Sequence, residues 1–151
     1  MNNGIGTFAP TTNYARFGTV AYPNKSVTPV VVTTALTPLT LTVAQILQGL
    51  LPVDCQDAAT ITTPTAALLC AAIEGCQPGT SFDLDVVNYG DTTLTLGLGT
   101  GVTKTTIATV AAVLTMVTLV SKRFTFNCTN STPGSEAWTV WAYGSTAAAV
   151  A

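Results

Sequence analysis

Between Ser81 and Tyr89 apolar and polar side chains alternate, with Phe82, Leu84 and Val86 on one side and Asp83, Asp85 and Val87 on the other. A period of two is the mark of a half-buried strand. The alternation recurs in Leu39 and Leu41 against Thr40 and Thr42, and in Leu94, Leu96 and Leu98 against small residues. It runs longest from Val117 to Cys128, where Phe124 and Phe126 oppose Arg123 and Thr125. It returns from Ala137 to Tyr143, where Trp138 and Val140 oppose Thr139 and Trp141. Leu50 to Val53 and Thr60 to Thr62 read as shorter extended pieces, and Thr103 to Val113 as extended or partly irregular. Turn residues divide these runs at Asn88-Tyr89-Gly90-Asp91, at Gly97, Gly99 and Gly101, and at Asn130 to Gly134.

Two stretches break the period. Thr42 is placed to cap a short helix, Val43-Ala44-Gln45-Ile46-Leu47-Gln48, ended by Gly49. Thr63 followed by Pro64 predicts a second helix over Pro64 to Ile73, closed by Gly75 before the turn Gln77-Pro78-Gly79. Short strands divided by turns imply an all-β fold, an antiparallel β-sandwich of jelly-roll-like form carrying two short helices.

Residues 1–36 lack a sustained period. Gly4, Gly6, Pro10, Gly18, Pro23 and Pro29 interrupt them, and Pro29 and Pro38 bracket the extended run Val30-Val31-Val32. The segment carries too few charges for a solvated tail, so it reads as an extended arm that orders against a partner. Phe8, Tyr14, Phe17 and Tyr22 are its candidate anchors. The other reading is an ordinary first strand with loose ends. The expected organisation is an arm over 1–36, a sandwich domain over 37–144 and a small apolar tail over 145–151.

Composition narrows the function. Of 151 residues 48% are hydrophobic and 8% charged, histidine is absent, and the net charge is −2. Acid–base and nucleophilic chemistry lean on histidine or grouped carboxylates, so no catalytic role and no cofactor are expected. Arg16, Lys25, Lys104, Lys122 and Arg123 make one adjacent pair, too few for a phosphate backbone, so no nucleic acid is expected. The most apolar run, Ile107 to Val120, is 14 residues long against about 20 for a membrane span, so no membrane is expected either. The first residues lack the basic start and apolar stretch of a signal peptide. An apolar, weakly charged surface calls for a cover: permanent oligomerisation, docking onto a larger assembly, or both.

Few side chains suggest a site. Cys55, Cys70, Cys76 and Cys128 read either as buried free thiols or as one or two disulfides, with a local bridge plausible among the first three. Zinc is the weaker option, because no C-x-x-C pair and no histidine is present. Gly97 to Lys104 has the wrong spacing for a phosphate loop. Asp83, Asp85 and Asp91 with Asn88 offer oxygen ligands for calcium, although solubilising residues on an outer face account for them more simply. Trp141 and Tyr143 share a face opposite Trp138, where they suit a subunit contact or, second, a sugar-stacking surface.

Several segments in order resemble a known group. They are Leu41-Thr42-Val43-Ala44-Gln45-Ile46-Leu47-Gln48-Gly49, Thr63-Pro64-Thr65-Ala66-Ala67-Leu68-Leu69, Pro78-Gly79-Thr80-Ser81-Phe82-Asp83-Leu84, Gly99-Thr100-Gly101-Val102-Thr103, Ser121-Lys122-Arg123-Phe124 and Gly134-Ser135-Glu136-Ala137-Trp138-Thr139-Val140. This order resembles small virion structural proteins of tailed phages and large DNA viruses, of the capsid decoration (cement) or head-fibre type. The resemblance covers about two thirds of the chain. It departs between Thr105 and Val120, which is longer and more apolar, and in the four cysteines. It implies a virion location on the capsid exterior, a homotrimer, and the major capsid protein as partner. The alternative it allows is a fibre-head or host-recognition module that binds surface glycans.

Overall fold

A computed structural model describes residues 27–32, 39–107, 110–111 and 114–143. In chain order the elements are β1 (Val30–Val32), β2 (Leu39–Thr40), α1 (Val43–Leu47), β3 (Leu50–Cys55), β4 (Ala59–Thr62), α2 (Ala66–Ala72) and β5 (Ser81–Asn88). They continue with β6 (Leu94–Gly97), β7 (Val102–Lys104), β8 (Thr106–Ile107), β9 (Val110–Ala111), β10 (Thr115–Met116), β11 (Val120–Asn130) and β12 (Ala137–Tyr143). The fold is mostly β, as the alternation predicts.

The expected antiparallel order is corrected. A six-stranded sheet runs β1-β3-β5-β11-β12-β7, a four-stranded one β10-β6-β4-β2, and β8 pairs with β9. The pairs β1–β3, β3–β5, β2–β4, β4–β6 and β12–β7 are parallel, whereas β5–β11, β11–β12, β6–β10 and β8–β9 are antiparallel. The chain order supplies the reason. From β1 to β7 successive strands alternate between the two larger sheets. Each reversal of direction therefore carries the chain from one sheet to the other. The next strand in the same sheet arrives two steps later, running the same way.

The helices follow local chemistry. Thr42 caps α1 with a reciprocal capping box: its Oγ1 accepts from the Gln45 amide at 3.2 Å, and Gln45 Oε1 accepts from the Thr42 amide at 2.8 Å. Gly49 then turns the chain at φ 85°. The second helix starts later than Thr63-Pro64 predicts. Thr65 is its N-cap, with Oγ1 accepting from the Leu68 amide at 3.3 Å. Thr63 is buried and occupied elsewhere, its Oγ1 accepting the Gly99 amide at 2.9 Å.

One buried cluster draws on both larger sheets and both helices. It includes Leu51, Val53, Leu84, Val86, Phe124, Phe126, Trp138 and Val140 from the large sheet and Ile61, Leu94, Leu96 and Met116 from the small one. Ile46 of α1 and Leu69 of α2 join it. Register sets the rows: Phe124 faces Leu84 on one side and Ala142 on the other, and Phe82 stacks on Phe126 with ring centroids 4.8 Å apart.

Two features refine the sequence reading, the first in favour of an ordinary first strand at Val30–Val32. Val30 and Val32 of β1 are core residues paired to β3, so the end of the segment read as an arm is an edge strand of the large sheet. The strand predicted from Val117 begins at Val120 instead. Thr115–Met116 belong to the small sheet, and Leu119 at φ 58° makes the turn into β11.

Candidate functional site

Three of the four cysteines converge at one end of the large sheet. Cys70 lies in α2, Cys76 in the loop that follows it, and Cys128 near the end of β11. Gly75, at φ 69°, lets the chain reverse after the helix, and the Cys76 amide donates to Ile73 O at 3.1 Å. The returning loop is then pinned to β11. Gly79 N–H donates to Cys128 O at 2.9 Å, and Cys128 N–H to Thr80 O at 2.8 Å. A register shift between Cys128 and Asn130 follows directly.

As a result Cys76 Sγ lies 3.3 Å from Cys70 Sγ and 3.8 Å from Cys128 Sγ. Trp138, opposite Cys128 on β12, donates its indole N–H to Cys70 Sγ at 3.2 Å. Burial, aided by contact with Cys70 and Cys128, pushes the Cys76 thiol up to about 12. Burial also raises Cys128. At neutral pH the Cys76 and Cys128 thiols are protonated and therefore poor nucleophiles. Among the described residues Cys70, Cys76 and Cys128 form the one group of three or more Cys, Asp or Glu side chains close enough to share an ion.

Cys55 stands apart. It is buried on β3, 2.9 Å from Asp57 O and 3.7 Å from Thr93 O. All four cysteines are free thiols in the structure.

The outer face of the large sheet is the second region of interest. Its cross-strand row Leu50–Asp85–Arg123–Tyr143 spans four strands, with Asp83–Thr125–Trp141 alongside. Arg123 holds Asp85 through two bonds of 2.8 Å, from Nε and Nη2. This contact keeps the Asp85 carboxyl below its ordinary range. Thr125 Oγ1 donates to Asp83. Tyr143 is 57% exposed and Trp141 half-buried. β7 pairs with β12 only from Trp138 to Val140, so among the described residues nothing pairs the outer edge of β12 beyond that point.

The calcium reading finds no support here: among the described residues Asp83, Asp85 and Asp91 do not gather into a group able to share an ion, Arg123 holds Asp85, and Asn88 points into the core. The amide of Asn88 instead links the sheets. Its Nδ2 donates to Thr92 O at 2.7 Å, Val117 O at 3.2 Å and Met116 O at 3.3 Å, and its Oδ1 accepts from Gly90 N–H at 3.2 Å. Sequence reasoning missed this role, because Asn88 in a turn-rich tetrapeptide reads as a surface residue. It also missed Lys122, which lies on the core side of β11 and donates to Thr115 O at 2.8 Å.

Phe8, Tyr14, Phe17 and Tyr22 lie outside the described residues. Among the described residues no helix is long and apolar enough to cross a membrane. No known protein family, characterised protein or solved structure matches the chain.

Proposed function

We propose that this protein is a virion structural protein, a capsid decoration (cement) protein that binds the outside of an icosahedral shell and stabilises it. The observation that carries the proposal is the set of large apolar side chains exposed on an otherwise well-packed domain whose chain is only 8% charged. Val31, Leu39, Leu50, Leu68, Tyr89, Val117, Leu119 and Tyr143 are all exposed large hydrophobics, with Leu119 at 79%. Val31, Leu50 and Tyr143 share the outer face of the large sheet, where Asp54 lies opposite Val31 and the Asp85–Arg123 pair stands between Leu50 and Tyr143. Large apolar side chains left exposed in this number on a weakly charged chain suit a surface that a partner covers.

The rest of the proposal follows from that surface and from the resemblance of the ordered segments. The protein acts as a homotrimer whose role is mechanical rather than enzymatic, with the major capsid protein as its partner. The architecture belongs to the same proposal: the two larger sheets face one another across the shared core as a β-sandwich, related to a jelly roll but with mixed pairing. A contact of about 1,000 Å² per protomer is specific enough, and multivalency multiplies its strength.

Quantitative mass spectrometry of purified particles, with sedimentation of the isolated protein, tests the proposal. The expected result is many copies per particle and a trimer in solution. A protomer that stays monomeric at high concentration and has no affinity for any shell overturns it. Tyr143 and Trp141, side by side on an accessible face, favour glycan recognition as the second reading. Glycan binding lost in Trp141→Ala, with shell attachment unaffected, selects it.

A further inference from the structure

The three-to-one division of the cysteines has a chemical consequence. We propose that Cys70, Cys76 and Cys128 form a three-sulfur site for a soft, thiophilic cation, copper(I) being the ion that suits three sulfur ligands and no fourth.

Geometry comes first. Three sulfurs bound to one ion at about 2.3 Å stand roughly 3.8–4.0 Å apart. Here Cys76 Sγ is 3.3 Å from Cys70 Sγ and 3.8 Å from Cys128 Sγ, and all three sulfurs lie within 4.8 Å of one another. A shift of about half an ångström in Cys76, which sits in a loop, opens the short pair to that spacing. The ligands come from a helix, a loop and a strand already tied together, loop to strand by the Gly79–Cys128 and Cys128–Thr80 backbone bonds and loop to helix end by the Cys76–Ile73 and Ile73–Leu69 bonds, so little ordering is needed on uptake.

The donor set selects the ion. Thiolate ligands favour copper(I) and zinc over hard cations. Structural zinc takes four protein ligands. Here no histidine exists to supply a fourth, Cys55 is held against Asp57 O, and no carboxylate joins the cluster among the described residues. Trp138 supports the sulfurs as an outer neighbour, donating to Cys70 Sγ at 3.2 Å. Half-buried Cys70 and Cys76 leave a way in, while buried Cys128 forms the floor. On uptake the thiols release their protons to solvent and the sulfurs bind as thiolates, with no change of oxidation state.

The test is an anaerobic titration of the reduced full chain with copper(I) against a chelating competitor. The expected result is one ion per protomer, a rise in Tm, and quenching of tryptophan emission, since the Trp138 indole touches a ligand. Cys76→Ser and Cys128→Ala each lose stoichiometric binding, and Cys55→Ser keeps it. Circular dichroism establishes that the variants are folded, and half-buried Cys76 is the safer substitution. Undiminished binding in folded Cys76→Ser overturns the proposal, as does zinc(II) displacing copper(I) at equal concentration. A Cys70–Cys76 disulfide in protein isolated with its thiol state preserved overturns it as well. None of these outcomes depends on the shell-binding role.

Discussion

Replacing Asn88 with alanine removes the polar clamp between the sheets. The side chain is fully buried, and its two amide protons serve three carbonyls, those of Thr92, Met116 and Val117. Met116 O is the deepest of these; the bonds to Thr92 O and Val117 O lie nearer solvent, where water can replace the amide. An orphaned buried carbonyl costs about 1–3 kcal/mol. Counting one fully orphaned acceptor, a partial loss at the others and a small cavity, Asn88→Ala should cost about 2–4 kcal/mol. That is a large share of the roughly 5–15 kcal/mol that holds a domain together. Denaturant unfolding followed by tryptophan emission should show a lower midpoint with an unchanged slope.

Asn88→Asp sharpens the test. It keeps the size and the acceptor for Gly90 N–H but sets a carboxyl oxygen against carbonyl oxygens, so the folded state demands the protonated form. The unfolded chain releases that proton near pH 3.9, and the folded chain only at a higher pH. Between those values the native state binds more protons, and stability falls as pH rises, by up to about 1.4 kcal/mol per unit. A loss below about 1 kcal/mol in Asn88→Ala, or a pH profile of Asn88→Asp parallel to wild type, refutes the clamp.

Gly90→Ala should be comparably costly, since its Cβ would meet Cys55 N at 2.1 Å and only backbone movement relieves the clash; a loss on the order of 3 kcal/mol in the same unfolding assay is expected. Thr63→Val removes the acceptor of the Gly99 amide at nearly constant volume and should cost about 1–3 kcal/mol, again read by denaturant midpoint. Asp85 is held below its ordinary range chiefly by its hydrogen bond to Arg123, so the pair contributes fully above the ordinary aspartate value near pH 3.9 and fades as pH falls through the folded value. Arg123→Gln should remove this acid-side slope, a small effect for so exposed a pair and smaller still at high salt. Burial holds the Lys122 ammonium below its ordinary value, so its contribution makes stability rise with pH just below about 10.4. The stability difference between wild type and Lys122→Met should climb across that window, and a flat difference contradicts the burial effect.

Local chemistry was legible in the sequence. Alternation located β5, β6, β11 and β12, and set Phe124 and Phe126 opposite Arg123 and Thr125, and Trp138 and Val140 opposite Trp141 and Tyr143; the fold buries the first set in each strand. Thr42 and Gly49 bounded α1. Each of these signals depends on residues a few positions apart, and so survives without knowledge of the fold. Strand direction is a different kind of property. A period of two looks the same in parallel and antiparallel pairs, and only the path of the chain, alternating between sheets from β1 to β7, made the early pairs parallel. The site depended on that path as well. Cys76 and Cys128 stand 52 positions apart, and nothing local to either shows that α2, its loop and the end of β11 meet. Asn88 and Lys122 mislead for the same reason: a polar side chain reads as exposed until its partners, contributed by distant strands, are in place. The sequence by itself determined which segments are strand or helix and which face of each is apolar. Tertiary structure decided which strands are neighbours and which way they run. It also decided where polar atoms find partners in the core, because these depend on contacts between positions far apart in the chain.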